Sequence, residues 1–212
     1  MNIPAPAGEV SHHSAKVVPT DTNIGMQHLG EQIDIHGGGN DLVFPHHENE
    51  IAQTESITGK PFARYWVHNG MLQLSGEKMS KSLGNLVTIE EFISQHEGDV
   101  MRMMVLNSSY RSPLTFTDEV IQQAEKALER LRQALRPMPA SGEHSVEADQ
   151  RLEQQIKLTN HYFVECMDDD FNSAGAMGYL FDLVRALNQA RDVGASEAQI
   201  STAADNSLLR VV

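Results

Sequence analysis

Asp34-Ile35-His36-Gly37-Gly38-Gly39-Asn40-Asp41-Leu42-Val43-Phe44-Pro45-His46-His47-Glu48-Asn49-Glu50 is the stretch that decides the fold. Ile33-Asp34-Ile35-His36 reads as a strand, and the three glycines after it mark a turn where backbone must approach something closely. Pro45 is placed to open a helix that runs to about Thr58. Strand, glycine turn and helix in that order suit a nucleotide-binding parallel sheet. His46 and Glu50 are i and i+4, so both project from one helical face, and an imidazole and a carboxylate so spaced can share a Zn²⁺ ion. The same spacing also describes an ordinary pair on a helix surface.

About thirty residues downstream, Lys78-Met79-Ser80-Lys81-Ser82 is set between Gly76 and Gly84. Lys78 and Lys81 can neutralise a polyphosphate, while the hydroxyls of Ser80 and Ser82 and the backbone N–H groups donate hydrogen bonds to it. Taken alone, such a loop is also what a solvated basic turn looks like. Tyr65-Trp66-Val67-His68-Asn69-Gly70-Met71-Leu72 is a second strand-like run leading to it, in which Trp66 reads as core.

Together, in this order and spacing, Gly37 to Glu50 and Leu74 to Asn85 resemble the cysteinyl-tRNA synthetases, a family of class I aminoacyl-tRNA synthetases. The resemblance runs from about Met26 to about Asp192, and Tyr110-Arg111-Ser112-Pro113-Leu114 and Met167-Asp168-Asp169-Asp170-Phe171-Asn172 also match segments of that family. The resemblance implies a two-step ligase. Cysteine attacks the α-phosphate of ATP, used with Mg²⁺, to give cysteinyl-adenylate and pyrophosphate; the cysteinyl group then passes to tRNA(Cys). By the same resemblance Lys81 is the ATP contact and Lys78 supports it, because a preorganised cation stabilises the charge that gathers on departing pyrophosphate. Gly38, Gly39 and Asp41 match the stretch that approaches the adenylate, Asp41 reaching a ribose hydroxyl, and His36 matches an active-site imidazole. His46 and Glu50 match two of the family's four zinc ligands. A substrate thiolate on that zinc would separate cysteine from serine, a pair that a plain pocket discriminates poorly.

The chain also departs from the family. The other two zinc ligands there are cysteines, whereas Cys166 is the one cysteine here and falls far downstream. Sliding the pattern back from Leu29-Gly30-Glu31 sets Asp21 near one missing cysteine, a weaker ligand where thiolates give a site its character. The His-x-Gly-His motif of class I domains is not found, and His12-His13 is followed by serine and alanine. We therefore expect a truncated synthetase: the C-terminal half of a Rossmann-like parallel sheet domain followed by an all-α helical bundle region. On this reading residues 1–25 are a leader, 26–112 the partial catalytic domain, 113–137 a connecting helix region, 138–148 a linker, 149–193 an incomplete tRNA-positioning bundle and 194–212 a tail. Half of a parallel sheet exposes strand edge and apolar face. Self-association or a complementary N-terminal half is therefore expected, and the lone chain is expected to be a poor catalyst. Two other functions stay open: a cysteine ligase acting on an amino-sugar acceptor, and a non-catalytic remnant that binds tRNA or a partner.

The helical half follows from periodicity. Val120, Ile121, Ala124, Ala127, Leu128, Leu131 and Leu135 keep 3.6-residue spacing between Thr117 as N-cap and Pro137 as stop. Leu152, Ile156, Thr159, Phe163 and Cys166 make a second stripe, and Met177, Leu180, Phe181, Val184 and Leu187 a third. Lys126, Arg130, Arg132 and Arg136 form a candidate tRNA strip, or else a solvated helix face. Net charge is −13 over 212 residues, so any RNA contact must rest on local basic patches. No run approaches the roughly 20 apolar residues of a membrane helix, and a single cysteine suits a reducing, cytoplasmic setting.

Overall fold

The computed structural model describes residues 26–74, 77–78 (backbone), 87–135 and 144–205. The chain divides after Gly70 into two compact units. The expected leader, Asp21, Ser80, Lys81, Ser82 and Arg136 lie outside the described residues.

The first unit is a β-α-β element. Strand β1, Ile33–Gly39, pairs in parallel with β2, Ala63–Asn69. A 3₁₀ turn at Asn40–Leu42 and a π-helical turn at Val43–His47 lead into helix α1, Glu48–Thr58. Two details differ from the sequence expectation. The glycine run is not a turn: Gly37, Gly38 and Gly39 continue β1, in register with Val67, His68 and Asn69. Pro45 does not open the α-helix, because Phe44 is extended (φ −133°, ψ 134°) and regular α geometry begins only at Glu48. The helix stops at Gly59, whose φ of 66° is open to glycine at no steric cost. Side chains alternate across a strand. His36 and Trp66 are register partners on the face that meets α1, while their neighbours Ile35 and Tyr65, also partners, point the other way and are 66% and 65% exposed.

The second unit opens on a three-stranded sheet. Strand β3, Leu72–Leu74, lies between β4, Glu77–Lys78, and β5, Leu114–Phe116, antiparallel to the former and parallel to the latter. Helices α2, Ile89–Gln95, and α3, Gly98–Leu106, intervene. Then come α4, Asp118–Leu135, α5, Val146–Asp168, α6, Ser173–Asp192, and α7, Glu197–Ala204. The expected stripes face one core. Ile121, Ala124, Leu128 and Leu131 are buried with Leu152, Met177, Leu180, Val184 and Leu187, and α3 adds Val100, Met103 and Met104. Arg191 is buried as well and donates from Nη2 to the Ala134 carbonyl at 2.8 Å, placing a cation on the last turn of α4. No described helix is long and apolar enough to cross a membrane.

Side-chain caps start several of these helices. Thr88 and Glu91 form a reciprocal capping box on α2, with Glu91 N–H to Thr88 Oγ1 at 3.1 Å and Thr88 N–H to Glu91 Oε2 at 2.7 Å. The bonds that Glu91 Oε2 accepts from Thr88, from the backbone N–H first and then from the hydroxyl, hold the Glu91 carboxyl below its usual range. Thr88→Ala should cost about 1 kcal/mol in urea unfolding. An unchanged midpoint would show that α2 is set by Phe92 burial instead.

Candidate functional site

Four imidazoles and a carboxylate gather on the inner face of the first unit. Glu50, in the first turn of α1, is 7% exposed, and its Oε2 lies 2.6 Å from His36 Nε2. His47, in the π-helical turn, is 3% exposed, and its Nδ1 shares a hydrogen bond with His68 Nε2 at 2.8 Å. The rings of His36 and His47 lie with centroids 4.9 Å apart, and Trp66 packs against both, with centroids at 4.6 Å and 5.2 Å. Burial, with His36 adding its charge, holds His47 below the usual imidazole range, so it is neutral near pH 7. Ligand atoms of His36, His47 and Glu50 all lie within 4.8 Å of one another.

The backbone explains why the cluster closes. A side chain at Gly38 would carry its Cβ to 2.7 Å from His47 Cε1, 2.9 Å from His47 Nε2 and 3.2 Å from Leu42 Cδ1. The glycine is therefore required by the imidazole over it. Gly38 also faces His68 across the strand pair, so one register position sets both the room for the His47 ring and its hydrogen-bond partner.

Of the residues singled out from sequence, the structure brings together His36, Glu50 and Gly38. His46 stands at the edge, its side chain 48% exposed and its Nε2 3.6 Å from Glu50 Oε1. Asp41 lies in the 3₁₀ turn directly after Gly39. The backbone of Lys78 pairs with Gln73 in β4. Arg132 of the candidate basic strip is engaged by Glu97 at 2.5 Å and Asp99 at 3.4 Å, and Arg130 lies over the Phe181 ring at 4.8 Å. Sequence reasoning missed His47 and His68. His47 is i, i+3 from Glu50, as valid a shared-face spacing as i, i+4, and would have been found by testing both.

The donor set is nitrogen and oxygen. It fits a divalent first-row cation such as zinc through imidazole and carboxylate. The three grouped donors include no thiolate, in contrast to the set that the family resemblance implies, and Cys166, the one cysteine of the chain, lies in α5.

In the second unit, the two further segments singled out from sequence meet. Asp170 Oδ1 accepts from Tyr110 Oη at 2.8 Å and from Arg111 Nη2 at 2.9 Å, and Oδ2 accepts from Arg111 Nε. Arg111 first, then Tyr110, pull the Asp170 carboxyl from 3.8 down to about 2. Asp170 and Phe171 carry φ of 53° and 55°, a left-handed pair in the turn between α5 and α6. Because the folded value is the lower one, the stability from this carboxylate is complete above about pH 3.8 and disappears as pH falls through about 2. Asp170→Asn should flatten the acid limb of a stability–pH curve between those values. An identical limb in both proteins would mean that the clasp contributes nothing.

Comparison with known proteins agrees with this architecture. Residues 22–126 match the family described as tRNA synthetases class I (C) catalytic domain, and residues 162–210 match the DALR domain. The agnB2 LeuRS of Agrobacterium radiobacter K84, solved in a ternary complex with tRNA and LeuAMS, aligns with a TM-score of 0.64 at 19% identity, over 83% of this chain and 25% of that one. The Mycobacterium tuberculosis methionyl-tRNA synthetase, solved with methionyl-adenylate, aligns at 0.57 and 20%, over 84% of this chain and 40% of its own. At these identities the likeness is one of fold. The chain belongs to the class I aminoacyl-tRNA synthetases. Within that class its relatives are cysteine–tRNA ligases. That of Geobacter sulfurreducens is 47% identical over 190 residues, 88% of this chain and 40% of the relative. That of Dehalococcoides mccartyi is 50% identical over 175 residues, 82% and 37%. The chain thus spans about two fifths of the length of the curated relatives it matches.

Proposed function

We propose that this chain serves ATP-dependent activation of cysteine to cysteinyl-adenylate and transfer of the cysteinyl group to tRNA(Cys), the activity for which its relatives are named. The observation that carries the reading is the identity of about half its residues with cysteine–tRNA ligases across most of its length. Lys81 and Lys78 would neutralise the phosphates of magnesium-bound ATP, with Ser80 and Ser82 donating to the same oxygens. Gly38, Gly39, Asp41 and His36 would meet the nucleoside side of the adenylate. A bound Zn²⁺ would supply a soft Lewis-acid contact for the substrate thiol. In this chain Glu50 and the imidazoles around it are the groups that would hold the ion, and Trp66 limits their contact with water.

One observation favours a narrower reading for the polypeptide by itself. Ile35 and Tyr65 remain exposed on the face of a parallel strand pair, and such sheets are normally covered on both faces. This supports the view that further polypeptide, from a longer chain, a second copy or a complementary half, covers that face in the working enzyme.

The test is cysteine-dependent ATP–pyrophosphate exchange by the purified full chain with Zn²⁺, run beside serine. Exchange with cysteine alone is the expected result for a complete adenylation site. No exchange with either amino acid would favour the non-catalytic reading for this polypeptide.

A further inference from the structure

We propose that Asp170 is a positioning residue for Lys78. Clasped by Arg111 and Tyr110, it fixes the end of β5 from which β3, and then β4 with the backbone of Lys78, take their place. What Lys78 does there is taken from the adenylation reading, on which this inference rests. The clasp and its path to β4 lie within the second unit.

The path is continuous. Tyr110 and Arg111 lie in the loop that enters β5. Thr115 of β5 stands opposite Gln73 of β3, and Gln73 in turn pairs with Lys78 of β4. Leu114 N–H donates to the Met71 carbonyl at 3.1 Å, so β3 is held from the first residue of β5. No side chain of β3 or β5 is buried, and Leu72 is 47% exposed. So short and so open a sheet needs anchoring from outside. β5 supplies it at both ends. At its far end Phe116 packs edge-on against Phe92, with centroids 5.5 Å apart. At its near end stands the clasp, and Ser173 Oγ adds a further tie to the same loop by donating to the Ser108 carbonyl at 3.2 Å.

The clasp is more than an exposed ion pair. Arg111 engages both carboxylate oxygens, through Nε and Nη2, a geometry that fixes direction as well as distance. Tyr110 Oη is a third donor, at 2.8 Å. The backbone gives an independent sign. Asp170 and Phe171 are consecutive left-handed residues, and Phe171 is 56% exposed, so burial of its ring does not hold them there. Glycine would take this backbone freely. What aspartate brings to the position is its carboxylate, and backbone strain of this kind persists where it holds a functional group in place.

The test compares the full chain with Arg111→Ala and Asp170→Gly by hydrogen–deuterium exchange. Glycine keeps the turn and removes the carboxylate, whereas Arg111→Ala opens the clasp from its other side. Lys157→Ala, which removes an exposed ion pair to Glu153 on α5, is the control. In both clasp variants the amides of β3 and β4 should exchange at least about 10-fold faster, while those around Leu180 in α6 keep their rate. Lys157→Ala should leave β3 and β4 within about twofold. In a chain that shows pyrophosphate exchange, the two clasp variants should raise the KM for ATP about fivefold or more and leave the KM for cysteine unchanged. Loss of folded chain would lower the rate and move neither constant. Unchanged β3 and β4 amides in the clasp variants, no protection of them in the unaltered chain, or equal loosening of α6 would overturn the proposal. So would an active chain whose KM for ATP does not move. Loosening of β3 and β4 in a chain without pyrophosphate exchange would support the hold of the clasp on β4 and count against the adenylation reading alone.

Discussion

Replacing Gly38 with alanine should weaken Co²⁺ or Zn²⁺ binding by about 10–100-fold, the range expected when a ligand loses its support rather than its donor atom. The alanine Cβ would sit 2.7 Å from His47 Cε1, closer than unbonded carbons approach. His47 has little freedom to move aside. Its Nδ1 is bound to His68, Trp66 and His36 pack on its ring, and it is 3% exposed. Rotation of the imidazole would break the His68 bond. The backbone itself offers no objection to alanine, since Gly38 sits within a regular strand rather than at a positive φ. Gly37→Ala is the matched control, because its Cβ would meet only the Val67 carbonyl at an ordinary 3.6 Å. Metal titration of the two variants checks the expectation. Equal affinities would show that Gly38 is there for strand geometry and that His47 is not a ligand.

Much of this architecture was legible in residue spacing, and the shortfalls have physical causes. The helical stripes were readable because an amphipathic helix writes its buried face every 3.6 residues. Ile121, Leu128, Leu152, Leu180 and Leu187 are buried where that period puts them. Lys78 and Lys81 were legible as residue types, and Ser80, Lys81 and Ser82 fall outside the described residues. The glycine run reads as a turn at which backbone comes close to a neighbour, and the close approach is found but not the turn: the strand continues through Gly39, and Gly38 yields its side-chain space to His47. His68 could not have been found from local sequence at all. It reaches His47 only through the register Gly38↔His68, and register belongs to the strand pair rather than to either strand. The contact between Tyr110, Arg111 and Asp170 was hidden for a similar reason, since about sixty residues separate its partners.

The core of the second unit should be its most sensitive feature, and Leu180→Ala the change that shows it. Leu180 is fully buried in the middle of α6, between Met177 and Val184 on its own face and against the buried face of α5 that carries Leu152 and Thr159. Next to it the Tyr179 carbonyl accepts a hydrogen bond from Thr159 Oγ1 at 3.3 Å, which limits how far the two helices can close around a void. Truncating leucine to alanine removes its transfer free energy and leaves a cavity that packing of this kind only partly refills, a cost of about 2–5 kcal/mol. Against a domain stability of roughly 5–15 kcal/mol that is a large fraction, and the melting midpoint should fall by roughly 6–12 °C for a loss near 3 kcal/mol. Val164→Ala on α5, 54% exposed, should shift stability by no more than about 0.5 kcal/mol. Urea and thermal unfolding of the two variants separate the cases. If Leu180→Ala melts with Val164→Ala, the helices close around the missing side chain, and the stability of this unit rests on its helix caps and on the Asp170–Arg111 pair rather than on the stripe that patterns its sequence.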